Sequence, residues 1–219
     1  MIEYIKAQKE TNDAIINNRI NHDELVRFSK SDFRWVTNKG KNYQTRTIKK
    51  GEIYQFEFGK NYVPEMSYEH RGLVIGVKGK LLYVLPIYSF NPHKHTDVYH
   101  PVDFPNSKGD LYLLKKSEFT WLDHDSVLKL NDIRTVSINR IQYQHEGAKI
   151  NPTTDTYKCI ETLVLKKYFA EFYHCFECDK SAAEKLKEDN ETLKKRVSLL
   201  EEENKQLKQQ IETPKKNNK

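Results

Sequence analysis

The chain has 219 residues, and 37% of them are hydrophobic, which is enough to bury a core. Because 31% are charged, much of the polarity must lie outside that core, and the net charge of +6 by itself identifies no partner. No stretch is long and apolar enough for a signal peptide or a membrane span, and an odd number of cysteines, 3, argues against a disulfide framework. We therefore expect a cytoplasmic protein with no membrane partner.

The N-terminal part, residues 1–48, is predicted to be a helical and basic extension. Residues 2–28 mix apolar with polar side chains and contain no Gly or Pro, which indicates one or two amphipathic helices. Their apolar face is expected to pack on the rest of the protein or, alternatively, to act as a lid over an active groove. Residues 31–47 are predicted to be a basic connector with a short helix or strand. The stretch 27–50 is strongly basic and could meet phosphates or an acidic protein, or be an ordinary solvated face.

The strongest strand signal lies between residues 49 and 89. Residues 53–58 come close to apolar and polar alternation, as in a half-buried strand, whereas residues 72–77 and 81–87 are almost continuously apolar, as in buried strands. Lys78-Gly79-Lys80 predicts a tight hairpin turn between those two strands. Residues 59–71 are predicted to be a polar loop that brings titratable groups to a strand start, and we expect any chemistry there.

After Ser89 the pattern breaks into turn clusters and short strand candidates. These candidates are residues 98–103, 111–115 and 127–130. Residues 136–141 are expected to lead into a helix, and residues 161–178 to form a helix with a broad apolar face. Short strands at this spacing predict a mainly β protein with α-helices, in which residues 49–179 form a small, strongly curved β-barrel domain with a closing helix.

Residues 180–213 carry the least ambiguous pattern, a heptad repeat held for about four repeats. Asn190 and Asn204 occupy a positions, where each can pair with its own copy across a parallel two-stranded coiled coil. Opposite charges at the g and e′ positions, such as Arg196 and Glu201, agree with that register. We therefore expect a homodimer rather than a solitary solvated helix, followed by a disordered tail at 214–219. The expected dimer contacts are Leu186, Leu193, Val197, Leu200 and Leu207.

Two blocks of the chain carry a shared pattern. In the first, a basic strand start and a loop with Glu precede a basic residue, the run Leu73-Val74-Ile75 and an apolar strand that ends in a hydroxyl residue. In the second, Asn131-Asp132-Ile133-Arg134-Thr135-Val136 is followed by Asn139-Arg140-Ile141. In this order and spacing, the two blocks resemble the MazF/PemK family of toxins from type II toxin–antitoxin systems. The resemblance covers about residues 49–142.

The resemblance implies an SH3-like barrel that also dimerises by itself. It implies the toxin component of a toxin–antitoxin system: a metal-independent endoribonuclease, or mRNA interferase, that cleaves single-stranded RNA and uses no cofactor. Its partners would be single-stranded RNA and a cognate antitoxin, expected to be a small acidic protein. The rival hypothesis is a non-catalytic module, the same barrel on a coiled-coil dimer, that binds RNA or a protein without cutting it.

Such an enzyme must deprotonate a ribose 2′-hydroxyl, protonate the leaving 5′-oxygen and stabilise a charged phosphorane. Aligned on Leu73-Val74-Ile75, the family's catalytic arginine falls on His70 and its proline on Arg71, whereas a shift of one residue places Arg71 at the basic position. Histidine titrates near neutrality and can shuttle the proton, while a guanidinium can hold the phosphate. The family's strand-end hydroxyl falls on Tyr88-Ser89. The predicted catalytic residues are His70, Arg71 and Ser89.

Further residues are expected to contact RNA. Tyr88 offers a phenol or a stacking surface for a base. Arg134 matches the second block, where an arginine is equally a candidate structural anchor of the barrel. Glu69, like Glu65, could act as a base or simply pair with Arg71. The expected RNA contacts are Tyr88, Lys129, Arg134, Thr135 and Glu69.

The cysteines raise the question of a metal site. Cys175 and Cys178 form one C-x-x-C next to His174, and Cys159 upstream could complete four ligands. They fall in a predicted helix, however, and a single C-x-x-C lacks its second half, so packing cysteines are favoured. We therefore expect no metal and no cofactor.

Overall fold

The computed structural model describes residues 1–40 and 48–212, and the side chains up to residue 210. Over these residues it contains four α-helices and one eight-stranded sheet, which confirms a mainly β protein with α-helices. The helices are α1 (Ile2–Asn17), α2 (His22–Asn38), α3 (Asp155–Tyr168) and α4 (Ala170–Glu212). The strands are β1 (Glu52–Glu57), β2 (Glu69–Lys78), β3 (Leu81–Ser89), β4 (Val98–Tyr99), β5 (Leu111–Leu114), β6 (Ser126–Lys129), β7 (Arg134–Ser137) and β8 (Ile141–Lys149).

The strands pair in the order β4-β5-β6-β3-β2-β1-β8, and β7 pairs with β3. All pairs are antiparallel except β4 with β5. Strand β3 is central because its first half, Leu81–Val84, pairs with β7 while its second half, Ile87–Ser89, pairs with β6. Among the described residues the path has two free ends, β4 and β8, so its hydrogen bonds do not close into a ring. The predicted barrel type therefore stays a prediction.

The β2–β3 hairpin confirms the turn predicted at Lys78-Gly79-Lys80. Lys78 pairs with Leu81, and Gly79 has a φ of 60°, a left-handed conformation that glycine adopts without steric cost. The two larger cores lie on opposite faces of the sheet. One face packs on α3 through Tyr157, Ile160 and Val164, which recur at helical spacing, and the other contains an aromatic and aliphatic cluster. That second cluster consists of Tyr54, Phe56, Phe58, Val74, Leu82, Val84, Val136 and Ile141.

Three strand predictions need correction. Strand β2 begins at Glu69, so residues 69–71 belong to a strand and not to the preceding loop, because Glu69 and His70 pair with β1. Strand β4 ends at Tyr99 instead of continuing to residue 103, since His100 turns back to form a bridge with Phe104. Residues 136–141 do not lead into a helix: they finish β7, form a short 3-10 turn and start β8.

The helices also differ from the predictions. The N-terminal pair is confirmed, but α2 continues through residues predicted to be connector and ends at Asn38; residues 41–47 lie outside the described chain. Within α1, all of which is described, no residue is buried, so the predicted packing of its apolar face is wrong there. The helix predicted at 161–178 is two helices, because α3 ends at Tyr168 and α4 begins at Ala170.

The chain divides into two compact units, Met1–Tyr168 and Phe169–Lys219. In the second unit, α4 runs without interruption to Glu212, as the heptad predicts, and its heptad leucines are exposed in the single chain, for example Leu193 at 61% and Leu200 at 50%. The tail predicted at 214–219 lies outside the described residues. Among the described helices, none combines the length and apolar character needed to cross a membrane.

Candidate active site

A cleft of about 510 Å³ opens where β1, β2, β3 and β8 meet the residues that lead into β6. It brings together four residues selected from the sequence: His70, Arg71, Tyr88 and Ser89. The remaining lining residues are Gln55, Ile87, His124, Ser126, Tyr143 and His145.

Strand register explains why these side chains meet. On β2, Arg71 lies opposite Gln55 of β1 on one side and Ile87 of β3 on the other. Ser89, the last residue of β3, pairs with Ser126 of β6, and Gln55 pairs with Tyr143 of β8. Neighbouring strands lie about 4.8 Å apart, so these pairings place polar side chains from distant parts of the sequence side by side.

His124 and Ser89 form the closest polar contact in this group. His124 Nε2 is 2.7 Å from Ser89 Oγ, and both side chains are exposed. Either group can be the donor, depending on which imidazole nitrogen carries the proton. The contact orients the imidazole at the rim of the cleft, where it can give or take a proton.

Arg71 is held by a carboxylate. Its NH2 lies 3.0 Å from Asp123 Oδ2, and the Asp123 side chain is 76% exposed. The hydrogen bond and the charge of Arg71 lower the pKa of Asp123, which is therefore ionised at neutral pH. A phosphate entering the cleft would compete with a solvated carboxylate for this guanidinium.

The surroundings of His70 favour a neutral imidazole. Burial lowers the pKa of His70, the charge of Arg27 lowers it further, and Glu69 and Glu57 act in the opposite direction. An imidazole with a depressed pKa is unprotonated at neutral pH and can accept a proton. His70 thus has the protonation state that a general base requires.

His145, on β8, has similar properties. Burial, followed by the charge of Arg71, lowers the pKa of His145, while Asp123 acts in the opposite direction. Its Nε2 lies 3.0 Å from the amide oxygen of Gln55, so that nitrogen is the donor and Nδ1 is the acceptor. The ring packs against Tyr143 with a centroid distance of 5.2 Å.

Tyr88 forms part of the wall. It is half-buried, burial raises the pKa of its phenol, and the ring meets His95 nearly edge-on at 5.3 Å. The phenol therefore stays protonated at neutral pH and can donate a hydrogen bond or stack on a base.

The other predicted RNA contacts do not line this cleft. Arg134 forms ion pairs with Asp132, at 2.7 Å from its Nε, and with Glu65, at 3.0 Å from its NH2. Lys129 contacts the carbonyl of Pro64 and lies 3.6 Å from Asp132. In this position Arg134 cross-links the loop before β2 to the start of β7, the anchoring alternative left open for it.

The last two predicted contacts also lie elsewhere. Thr135 is exposed on β7 opposite Tyr83. Glu69 forms an ion pair with Arg34 of α2, not with Arg71. Glu69 therefore ties α2 to the start of β2.

The sequence did not single out three of the cleft residues, His124, Tyr143 and His145, or Asp123, which pairs with Arg71. The segment Asp123-His124-Asp125 lies between two predicted strands and has no role in the sequence prediction, although its density of charged and titratable side chains next to a strand is a usable signal. Tyr143 and His145 were missed because β8 was not predicted. Ile141, Tyr143 and His145 alternate with polar residues, which is the period of two that a strand produces.

In the described part of the chain, no three His, Cys, Asp or Glu side chains are grouped so that they could hold a metal ion. Cys159 contacts the hydroxyl of Tyr99 at 3.7 Å, and Cys178 Sγ lies 3.9 Å from Nε2 of His174 one helical turn away.

Comparison of the sequence with protein-family models and with curated proteins gives no match in either case. The protein is mainly β with helices, and its cleft contains histidines, an arginine and a hydroxyl group where several strands meet.

Proposed function

We propose that the protein is a metal-independent endoribonuclease of the MazF/PemK type that cleaves single-stranded RNA and is the toxin of a toxin–antitoxin pair. The observation that carries this proposal is the single cleft that contains His70, Arg71, Ser89 and His124. These side chains supply a base, an acid and a cation, which are the groups needed to transfer a phosphodiester to the neighbouring 2′-hydroxyl.

In the proposed reaction, neutral His70 takes the proton of the ribose 2′-hydroxyl while the 2′-oxygen attacks phosphorus. The bond from phosphorus to the 5′-oxygen breaks, and His124, positioned by Ser89, acts as the general acid that gives a proton to that oxygen. Arg71 leaves Asp123 and binds the non-bridging oxygens as negative charge develops on them. The products are a 2′,3′-cyclic phosphate and a 5′-hydroxyl end.

The proposal includes a curved SH3-like barrel and a coiled-coil dimer. The division of β3 between β7 and β6 supports strong curvature, since the two halves of one strand pair with different neighbours. The unbroken α4 and its exposed heptad leucines support a parallel coiled coil with a second copy, which would cover them. The proposed antitoxin is a small acidic protein, consistent in charge with a partner of +6.

A second candidate function is RNA binding without cleavage. The observation in its favour is that Tyr88 and Tyr143 line the cleft, since their rings can stack on bases whether or not the RNA is cut. The two candidates differ in whether the RNA chain is broken.

The test is incubation of single-stranded RNA with purified protein in EDTA, followed by analysis of product ends. We expect cleavage with 2′,3′-cyclic phosphate ends, none with a DNA strand of the same sequence, and none with His70→Ala or Arg71→Ala. His93→Ala, an exposed histidine outside the cleft, is the matched control and should cleave normally. Intact RNA with active controls would favour the binding module. Full activity of both cleft variants would show that the cleavage does not come from this cleft and would contradict the proposed active site.

A further inference from the structure

A second depression, of about 300 Å³, adjoins the cleft on the side of α2. Gln55 and His70 line both cavities, so an RNA strand that leaves the cleft past His70 enters this depression. Its α2 side is formed by Arg27, Lys30 and Arg34.

The three basic residues of α2 differ in what they contact. They are spaced by three and four positions and therefore share one face of the helix. Arg34 forms ion pairs with Glu57, at 2.9 Å, and with Glu69. Arg27 and Lys30 are exposed and form no ion pair with any residue in the described parts of the chain. Two positive charges are therefore available to an incoming anion.

The attachment of α2 to the sheet fixes where these charges lie. Ser31 donates a hydrogen bond of 3.0 Å to the buried carboxylate of Glu57, and Lys60 binds Asp32 at 2.5 Å. Glu57 and Glu69, on the sheet side, share the single charge of Arg34, and Glu24, whose charge acts on Tyr68, lies one turn before Arg27 on α2 but forms no ion pair with it among the described residues. The charge of Arg27 is close enough to His70 to act, after burial, on the pKa of that histidine. The position of the basic face relative to His70 thus follows from the fold.

We infer that Arg27 and Lys30 form a phosphate-binding subsite that holds an RNA backbone phosphate next to the one that is cleaved. This inference rests on the proposed function, since the subsite is useful only if RNA occupies the cleft. The depression and the cleft share Gln55 and His70, so one ligand can pass through both cavities. This favours RNA over an acidic protein, because a polynucleotide has phosphates at regular intervals along its backbone. Tyr68, in the same depression, offers a ring on which the flanking base can stack.

The test compares Arg27→Ala/Lys30→Ala with Lys78→Ala/Lys80→Ala, which removes the same charge from the other end of β2. At about 3.3 Å per residue, that end is roughly 25 Å from His70. The binding probe is a short single-stranded RNA with 2′-O-methyl groups, which cannot be cleaved, and the cleavage probe is a dinucleotide with one phosphodiester. Arg27→Lys/Lys30→Arg keeps both charges, and thermal unfolding checks the fold of each variant.

We expect the α2 alanine variant to bind the oligonucleotide several-fold more weakly and to lose about 1.4 from the slope of log affinity against log salt concentration. Because Arg27 lowers the pKa of His70, dinucleotide cleavage is compared at a pH well above the ordinary histidine value of about 6.5, where His70 is neutral in both proteins. Under that condition the cleavage should equal that of the native protein, and both the control and the charge-keeping variant should bind normally. Equal affinity of the α2 variant and the control would overturn the inference while leaving cleavage, and the proposed function, intact. If the α2 alanine variant loses dinucleotide cleavage to the same extent as oligonucleotide binding, the two charges act on the scissile phosphate, and the inference is also overturned. A native protein that neither binds nor cleaves RNA would overturn both proposals.

Discussion

His124 and Ser89 are 35 residues apart in the chain, and their side chains meet with Nε2 2.7 Å from Oγ. The contact exists because Ser89 pairs with Ser126, two residues after His124, across the β3–β6 ladder. It connects the strand-end hydroxyl selected from the sequence to a histidine that the sequence did not single out.

We expect His124→Gln to lower kcat for RNA cleavage by about 100-fold or more, because a general acid typically contributes at least this much. Ser89→Ala should have a smaller effect, since it removes only the group that orients the imidazole. The measurement is single-turnover cleavage with saturating enzyme, with His93→Gln as the control. If His124→Gln cleaves at the native rate, another group protonates the leaving oxygen.

The Arg71–Asp123 ion pair leads us to expect a variant that gains RNA affinity. Asp123→Asn should strengthen RNA binding a few-fold, because it removes a carboxylate that competes with phosphate for Arg71. Arg71→Ala should weaken binding, and the double variant should resemble Arg71→Ala. Titration with an uncleavable RNA measures this, and Asp13→Asn, an exposed position on α1, controls for net charge. Tighter binding by Asp13→Asn to the same extent would show a general charge effect instead.

The pH dependence of stability follows from half-buried histidines. Two of them, His70 and His145, line the cleft, and burial also lowers the pKa of a third, His95. Burial, aided by Arg27 for His70 and by Arg71 for His145, lowers both pKa values in the folded protein. The unfolded state then binds more protons, so this contribution to stability is complete above the ordinary histidine pKa of about 6.5 and is lost as the pH falls below it.

We therefore expect Tm to fall on acidification through this range. The fall should be smaller in His70→Gln and smaller still in His70→Gln/His145→Gln. Calorimetry across the pH range measures this difference. A native slope in the double variant would mean that other groups are responsible.

Glu57 should be the main polar attachment of α2. Its side chain is 6% exposed and accepts hydrogen bonds from Ser31 Oγ at 3.0 Å, Arg34 NH1 at 2.9 Å and the Gly59 amide at 3.0 Å. Glu57→Gln should lower the free energy of unfolding by about 2 kcal/mol, because it removes the more buried of the two carboxylates that pair with Arg34.

Asp32 of α2 forms an exposed ion pair with Lys60, and this pair provides the comparison for Glu57→Gln. The Asp32 and Lys60 side chains are 53% and 38% exposed, so Asp32→Asn should cost less than about 1 kcal/mol. Urea unfolding measures both variants. Equal costs would indicate that burial of Glu57 has no energetic consequence.

Association is predicted to depend on α4. Deleting residues 181–219 should weaken the proposed dimer without unfolding the first unit, because in a coiled coil the heptad leucines would be buried only against a second copy. Replacing Asn190 and Asn204 by Ile should raise Tm and admit trimers or larger species, since the polar a residues specify the two-stranded register.

Light scattering of the full chain and the truncation distinguishes two arrangements. A dimer in both means that the coiled coil extends an existing interface, and a tetramer that falls to a dimer means that it joins two dimers. A full-length chain that sediments as a monomer at micromolar concentration would contradict the dimer.

The parts of the fold that the sequence predicted correctly are those in which local pattern and burial agree. Strands β1, β2 and β3 are apolar because they lie inside the sheet, and the turn at Gly79 follows from glycine's access to positive φ. The long α4 follows from a heptad without Gly or Pro. Strand β8 was missed because it is the last strand in the path and pairs with only β1 in the described chain, so it carries few apolar residues.

Of the cleft, the sequence alone provided His70, Arg71, Tyr88 and Ser89, which are neighbours along two consecutive strands. Tertiary structure decided what they face. His145 meets Gln55 across 90 residues of sequence, and the pairing of β1 with β8 depends on long-range register that no local pattern encodes. Tertiary structure also decided the role of Glu69, because its partner Arg34 lies on α2. Glu69 is a candidate base in the sequence, and the docking of α2 against the start of β2 makes it part of an ion pair instead.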